Sequence, residues 1–106
     1  MAIFEEDANF SETTFKEIAF FENAIFRGDT YFGKAIISGK AYFWGATFKK
    51  DISFNEVTFE EDANFELKYL ANTIDFTKIR VFSGIKISIK IINEGTNIDL
   101  DSVVIG

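Results

Sequence analysis

Carboxylates are the side chains of this sequence with the most capacity for chemistry, and three of them recur at a constant interval. These are Asp7, Asp29 and Asp51, and stacking them in one column would gather oxygen ligands of the kind calcium requires. The sequence contains no Cys and no His. This excludes thiolate ligands, the usual nitrogen ligand of zinc and the usual general base near neutral pH. Catalysis or metal binding would therefore depend on Asp and Glu.

Neither catalysis nor metal binding is predicted from these carboxylates. An Asp at a turn ordinarily accepts hydrogen bonds from its own turn, and no glycine- and aspartate-rich calcium repeat surrounds the three. The glycines of "GDT" (28–30) and "SGK" (38–40) lack the spacing of a phosphate-binding loop. No paired base or pocket is implied around the acids. We therefore predict no catalytic residue, no metal site, no cofactor and no enzyme activity.

The charge of the chain is acidic and unevenly distributed. The formal net charge is -6; residues 1–66 carry 13 acids and 6 bases, whereas residues 67–106 carry 4 acids and 5 bases. Phosphates need cations to replace their counterions, so direct nucleic-acid binding is not predicted. An acidic surface is compatible with a basic protein partner.

The sequence also carries signals of cellular location. The opening "MAIFEEDANF" has acids where a signal peptide has bases, and no run approaches the ~18 apolar residues of a membrane span. The lack of Cys permits a reducing compartment, and the abundance of Ile, Lys, Asn and Phe is typical of an AT-rich bacterial genome. We predict a single cytoplasmic domain over residues 1–106 with no membrane contact.

The elements that position these side chains follow from a repeat of eleven residues. Steps of 11 from Phe10 and from Phe4 meet an apolar residue every time, and the two series alternate with gaps of six and five residues. The first series is Phe10, Phe21, Phe32, Phe43, Phe54, Phe65, Phe76, Ile87 and Ile98. The second is Phe4, Phe15, Phe26, Ile37, Phe48, Phe59, Leu70, Val81, Ile92 and Val103. An amphipathic helix would need gaps of about three and four residues.

A small residue precedes most of these large residues by two positions, as Ala8 precedes Phe10. Two side chains at this spacing lie on the same face of an extended segment. The extra residue of each six-residue gap is placed at a turn former such as Asp7, Gly28 or Gly39. The pattern therefore predicts a solenoid of short extended sides separated by tight turns.

Two segments carry a family resemblance. Ala8-Asn9-Phe10 and Ala63-Asn64-Phe65 resemble the Ala-Asp/Asn-Leu/Phe-x-x unit of the pentapeptide-repeat family. The alternation of five- and six-residue repeats is similar to that of a Phe-rich subgroup. The resemblance implies an all-β fold, a right-handed quadrilateral parallel β-helix with four repeats per coil. The large and the small residue of each repeat would both point inside.

The outward charges favour a 22-residue coil, made of two eleven-residue steps. Glu12, Lys34, Glu56 and Lys78 recur at every second step and alternate in sign, so each Glu would face a Lys one coil away. Four to five coils then fit the chain, and the pattern loosens after residue 66, which predicts one or more degenerate coils at 67–106. The predicted core consists of Phe10, Phe15, Phe21, Phe26, Phe32, Phe43, Phe48, Phe54, Phe59, Phe65 and Phe76.

Apolar residues that the repeat directs outward form the candidate partner surface. "AFFE" and "AYFW" would lie one above the other on one side. The candidate residues are Phe20, Ile25, Tyr31, Ile36, Tyr42 and Trp44. Aromatic residues are enriched at interfaces, although ordinary β-propensity on a strand surface would also account for them.

The open C-terminal end is the second candidate surface. Unpaired strand edges favour association, and a two-fold contact would cover both ends at once, so we expect a homodimer. The candidate dimer residues are Ile98, Leu100, Val103, Val104 and Ile105. The acids Glu5, Glu6 and Asp7 would repel their symmetry mates at the N-terminal end.

Two functions are compatible with these features. The first is a non-enzymatic pentapeptide-repeat scaffold that binds an unknown protein partner or itself. The alternative comes from the resemblance, since some quinolone-resistance pentapeptide proteins imitate the DNA duplex and occupy DNA gyrase. The acidic N-terminal part suits such a DNA mimic, but Arg27, Lys34, Lys49 and Lys50 interrupt the acids.

Overall fold

Two-residue strands separated by tight turns form a four-sided solenoid. The computed structural model describes residues 2–93, 96–97 and 103–105, with side chains described through residue 91. The first coil contains β1 (Ile3–Phe4), β2 (Ala8–Asn9), β3 (Thr14–Phe15) and β4 (Ala19–Phe20). The second contains β5 (Ile25–Phe26), β6 (Thr30–Tyr31), β7 (Ile36–Ile37) and β8 (Ala41–Tyr42).

The later coils repeat this order with longer strands. The third coil contains β9 (Thr47–Phe48), β10 (Ile52–Ser53), β11 (Thr58–Phe59) and β12 (Ala63–Leu67). The fourth contains β13 (Tyr69–Leu70), β14 (Ile74–Phe76), β15 (Arg80–Val81) and β16 (Ile87–Asn93). Two further strands follow, β17 (Thr96–Asn97) and β18 (Val103–Ile105). Within the described ranges no helix is long and apolar enough to cross a membrane.

The strands stack into four sheets, which form the four faces of the solenoid. Face 1 is β1-β5-β9-β13, face 2 is β2-β6-β10-β14-β18, face 3 is β3-β7-β11-β15, and face 4 is β4-β8-β12-β16-β17. Neighbours within a face are parallel except β16 and β17, which are antiparallel. Ile3 pairs with Ile25, and Ile25 pairs with Thr47. The predicted all-β solenoid with a 22-residue coil is therefore confirmed.

Phenylalanine rings fill the solenoid in columns that run from coil to coil. On face 2 the ring centroids of Phe10, Phe32, Phe54 and Phe76 are separated successively by 4.9, 4.8 and 5.3 Å. Their planes lie within 17° of parallel. Two other stacked columns are Phe4–Phe26–Phe48 on face 1 and Phe21–Phe43–Phe65 on face 4. Strands about 4.8 Å apart hold the rings at the distance at which offset stacking is favourable.

The predicted core residues differ in burial according to their coil. Phe26, Phe32, Phe43, Phe48, Phe54, Phe59, Phe65 and Phe76 are fully buried. Phe10, Phe15 and Phe21 pack against this core but are only partly buried. They lie in the first coil, so their rings have a neighbouring coil on one side only.

The five-residue repeats turn through a residue with positive φ, except at Leu67, and the sequence pattern did not predict this. Phe10 O accepts a hydrogen bond from Thr13 N, and Glu12 has a φ of 61°. The equivalent residues are Asn23, Lys34, Gly45, Glu56 and Lys78. A positive φ at the third residue alone is typical of a type II turn, which usually places Gly or Asn there. The stacking of the sides therefore overrides the local preference of Glu and Lys.

Gly28 and Gly39 lie at corners where the coils approach closely. A Cβ atom at Gly28 would come 2.6 Å from Asp7 N, and one at Gly39 would come 2.8 Å from Ile18 N. Backbone atoms of the preceding coil cannot move aside without breaking the stack. Glycine is therefore required there by space.

The eleven-residue series fails in the fourth coil. Ala63 pairs with Ala41 below it and with Ile87 above it, so the step to Ile87 is two residues longer than the step before it. The prediction that Ile87 continues the Phe65 position was therefore wrong, because the turn between β15 and β16 is longer than its predecessors and Ile89 pairs with Phe65 instead. Leu67 was also missed: β12 continues straight through it and buries its side chain.

The placement of Val103 was wrong as well. The series put Val103 above Val81, on face 3, but Val103 pairs with Ile74 on face 2. β18 accordingly follows β14 on that face and begins a fifth level. Ile98 lies outside the described residues.

The stacked rings generate a prediction for stability. Phe54 is fully buried and contacts rings above, below and beside it, whereas Phe82 is 53% exposed. Phe54→Ala should lower the free energy of unfolding by about 3–5 kcal/mol through lost burial and the cavity left behind. The matched change Phe82→Ala should lower it by less than about 1 kcal/mol. Equal losses in urea melts of the two variants would contradict the inward columns.

A buried hydroxyl generates a second prediction. Thr30 is buried between Ala8 and Ile52, and its Oγ1 has no hydrogen-bond partner among the described residues. Burying an unpaired hydroxyl is costly, so the isosteric Thr30→Val should raise the free energy of unfolding by about 1 kcal/mol. Thr58→Val, at a partly exposed position of face 3, should change it by less than about 0.5 kcal/mol. A loss of stability in Thr30→Val would show that the hydroxyl has a partner.

Candidate functional site

An aromatic cluster on face 4 contains Phe20, the most exposed large apolar side chain among the described residues. Phe20 is 64% exposed and Trp44 is 51% exposed, while Tyr42 is partly buried. Phe20 and Tyr42 lie on adjacent coils with ring centroids 5.6 Å apart and planes 21° from parallel. Exposed Ile18 precedes them at the first coil. We call Ile18, Phe20, Tyr42 and Trp44 the aromatic surface.

The backbone beneath the aromatic surface is held by hydrogen bonds between coils. Tyr42 O accepts from Phe21 N at 2.8 Å, and Trp44 O accepts from Asn23 N at 2.8 Å. The inward neighbours Phe21 and Phe43 stack at 4.9 Å. The outward side chains therefore project from a rigid support, which reduces the entropy lost when they bind.

The other predicted surface residues are distributed around the solenoid. Ile25 lies on face 1, Tyr31 on face 2 and Ile36 on face 3. Tyr31 and Ile36 are exposed, and Ile25 is partly buried beside Ile3. Of the six candidates, only Phe20, Tyr42 and Trp44 lie together on one face.

Asp7, Asp29 and Asp51 form the aspartate column, and their carboxylates accept hydrogen bonds from the next coil instead of from their own turns. Asp7 Oδ1 accepts from Asp29 N at 2.8 Å, and Asp29 Oδ1 accepts from Asp51 N at 3.1 Å. Asp51 Oδ1 accepts from Asn72 Nδ2 at 2.9 Å. The expectation that each carboxylate caps its own turn was wrong, because the corner stacking brings the next coil's amide closer. These carboxylates thus tie coils together.

Tyr31 is the neighbour of this column. Its hydroxyl donates to Asp29 Oδ2 at 3.3 Å. Partial desolvation and then the Asp29 carboxylate, with smaller effects of Asp7 and Asp51, raise the pKa of Tyr31 above its ordinary value of 10.0. Tyr31 is therefore a neutral hydrogen-bond donor at physiological pH. Among the described residues no group of three Asp or Glu side chains is placed to hold a metal ion.

Charge alternates from coil to coil, a pattern that a count over halves of the chain had hidden. Residues 2–23 carry six acids and one base, and residues 24–45 carry one acid and three bases. Residues 46–67 carry six acids and two bases, and residues 68–91 carry one acid and five bases. The net charges are thus -5, +2, -4 and +4. Counting by coil would have found this signal.

The predicted charge column is stacked but not closely paired. Glu12, Lys34, Glu56 and Lys78 occupy the same turn on successive coils, as their shared positive φ and constant spacing require. Across the side chains the structure describes, the one ion pair within 4.0 Å joins Arg27 Nε and Glu5 Oε1 at 2.9 Å. The column therefore contributes by alternation of charge across solvent, a weak effect.

The C-terminal end contains an apolar cavity of about 260 Å³. It is lined by Phe76, Ile79, Val81, Ile85, Ile87 and Ile89. Of the residues predicted for a dimer contact, Ile98 and Leu100 lie outside the described residues, while Val103, Val104 and Ile105 form β18.

Comparison with known proteins bears on the family. A family model described as pentapeptide repeats in nine copies matches residues 2–47, which span the first two coils. No curated protein matches the chain, and no solved structure matches it. The stacked columns that begin in the matched residues continue without interruption to Phe76 on face 2. Residues 2–47 are therefore pentapeptide repeats, which supports the resemblance to pentapeptide-repeat proteins.

Proposed function

We propose that this chain is a non-enzymatic scaffold that binds another protein through the aromatic surface. The observation that carries the proposal is the exposure of Phe20 and Trp44 beside Tyr42 on one rigid face. Aromatic side chains supply much of the energy of protein interfaces because they bury a large area with few rotatable bonds. β-propensity alone would explain scattered aromatics, but it gives no reason for stacking two of them on one face.

The surroundings of the aromatic surface support a protein partner. Glu22 and Glu66 occupy the position of Trp44 in the two neighbouring coils. Asn64 pairs with Tyr42 in the next coil along face 4. An apolar centre with a polar rim is the usual anatomy of a protein interface. The reducing cytoplasm of a bacterium is the setting we propose for this contact, since the chain has no disulfide to protect it elsewhere.

We also propose self-association through the C-terminal end. The apolar cavity lined by Phe76, Val81 and Ile87 supports it, because covering such a surface on two copies at once is favourable. The predicted residues Ile98, Leu100, Val103, Val104 and Ile105 belong to the same part of the chain.

DNA mimicry of the kind that targets gyrase is less well supported. Imitating a duplex needs a continuous acidic surface, because DNA carries charge uniformly along its axis. The second and fourth coils carry net charges of +2 and +4. A supercoiling assay with purified gyrase separates the two hypotheses. Unchanged supercoiling at micromolar concentrations of the chain favours the scaffold. Inhibition of gyrase, or protection of gyrase from a quinolone drug, would favour mimicry.

Removing the aromatic surface tests the main proposal. The wild-type chain is used to capture a partner from a lysate of the source organism. The purified partner is then titrated with the wild-type chain and with each variant. Phe20→Ser/Trp44→Ser should weaken its binding by at least about tenfold, since aromatic anchors dominate interface energies. The control Ile36→Ser/Phe82→Ser removes two exposed apolar side chains elsewhere. Equal weakening by both pairs would contradict the assignment of the partner site.

Light scattering at micromolar concentration tests self-association. The wild-type chain should have the mass of a dimer, and Val81→Asp should convert it to a monomer, because Val81 lines the cavity and is exposed. A monomeric wild type would contradict the dimer. A Val81→Asp variant that keeps both its circular dichroism and its dimer mass would contradict this interface.

A further inference from the structure

The single tryptophan of the chain lies between two glutamates on face 4. Trp44 is 51% exposed. Asn23 N donates to Trp44 O, and Gly45 N donates to Glu66 O, each at 2.8 Å. In this ladder Glu22, Trp44 and Glu66 share one outward position on successive coils. Because parallel strands are about 4.8 Å apart, the indole has a carboxylate-bearing residue on each side.

The carboxylate of Glu66 is held in place by Asn64. Asn64 Nδ2 donates to Glu66 Oε2 at 2.9 Å, and Glu66 N donates to Asn64 Oδ1 at 2.8 Å. Among the described residues no donor bonds Oε1, and no cation lies within 4.0 Å of the carboxylates of Glu22 and Glu66. This includes Lys90, which pairs with Glu66 on the fourth coil. A carboxylate fixed in this way loses little entropy when it binds a cation.

Apolar area adjoins the indole on the same face. Tyr42 precedes Trp44 by two residues and stacks on Phe20 at 5.6 Å. Outward residues two positions apart on an extended side are about 6–7 Å apart. Side chains on one face of an extended partner segment have the same spacing. One such segment can therefore place an apolar side chain on Phe20 and Tyr42 while a cation lies on Trp44.

Arginine fits these groups better than lysine. The face of an indole attracts cations, and tryptophan does so most strongly of the aromatic side chains. A guanidinium is planar, so it can stack on the ring while its N–H groups donate to carboxylates beside it. A lysine ammonium is a compact, strongly hydrated charge that cannot stack. The indole and its two carboxylates thus indicate one chemical class of occupant.

We propose that Trp44, Glu22 and Glu66 bind an arginine of the partner's docking segment. The guanidinium stacks on the indole and donates to both carboxylates, and a large apolar residue two positions away lies on Phe20 and Tyr42. The inference rests on the proposed function, because it names the chemistry of the partner that the aromatic surface takes.

The blocked peptide acetyl-Gly-Leu-Thr-Arg-Gly-amide is the probe. Titration should shift the indole N–H resonance of Trp44, which is the one tryptophan of the chain. A peptide with citrulline in place of arginine is neutral and nearly the same shape, so it should bind about tenfold more weakly. A lysine peptide should bind about threefold more weakly. Equal affinity of the arginine and citrulline peptides, or of the arginine and lysine peptides, would overturn the proposal.

Paired variants locate the charges that matter. Glu22→Gln/Glu66→Gln should weaken binding of the arginine peptide by about tenfold and that of the citrulline peptide by less than about twofold. The control Glu12→Gln/Glu56→Gln makes the same change of net charge on the same two coils, at the turn between faces 2 and 3. It should weaken the arginine peptide by less than about twofold. Equal effects of the two pairs would replace the site with diffuse charge attraction.

The captured partner separates this inference from the proposed function. Phe20→Ser/Trp44→Ser and Glu22→Gln/Glu66→Gln should both weaken its binding by about tenfold. Weakening by the serine pair alone would overturn the arginine site and leave the scaffold proposal standing. Arginine-peptide binding as expected, with partner binding unaffected by the serine pair, would support the arginine site and contradict the proposed partner surface.

Discussion

The stacking of phenylalanine rings at the spacing of parallel strands is the interaction on which this solenoid depends. Parallel strands stand about 4.8 Å apart, and the ring centroids of the three stacked columns lie 4.7 to 5.3 Å apart. The backbone ladder and the side-chain columns therefore reinforce one another at every coil. Positive φ at Glu12 and Lys34, and the close corners at Gly28 and Gly39, are tolerated because this match holds the coils in register.

Stability built in this way leaves the outside of the coil free to vary. Inward positions repeat because each must fit the residue above and below, whereas an outward residue such as Trp44 is held by its backbone alone. Binding surfaces in such a protein are therefore expected among the outward columns. The aromatic surface uses two adjacent coils of face 4.

The sequence was sufficient for the period, the coil length and the inward columns, because each depends on local geometry repeated at a fixed spacing. It was not sufficient where the repeat changes. The longer turn before β16 moved Ile87 from the large position to the position paired with Ala63, and no composition signal marks that insertion. Leu67 is buried because β12 stays extended where earlier coils turn, and it pairs there with Ile91 of the fourth coil.

The candidate sites were predictable only in part, for a similar reason. Phe20, Tyr42 and Trp44 were predicted together because the coil length alone stacks them. The bond from Asp29 N to Asp7 was not predicted, because it depends on how closely the corners approach.

The rates of native-state amide hydrogen exchange test the central claim, which is that each coil is stabilised by the coils stacked on it. Phe32 N and Phe43 N donate from the second coil to the third, with ring columns on both sides. Phe10 N and Phe21 N donate from the first coil, which has a neighbour on one side only. Because solenoids lose structure from their ends, the amides of Phe32 and Phe43 should exchange most slowly, and those of Phe10 and Phe21 markedly faster. Exchange of Phe10 and Phe21 as slow as that of Phe43 would contradict stabilisation through neighbouring coils.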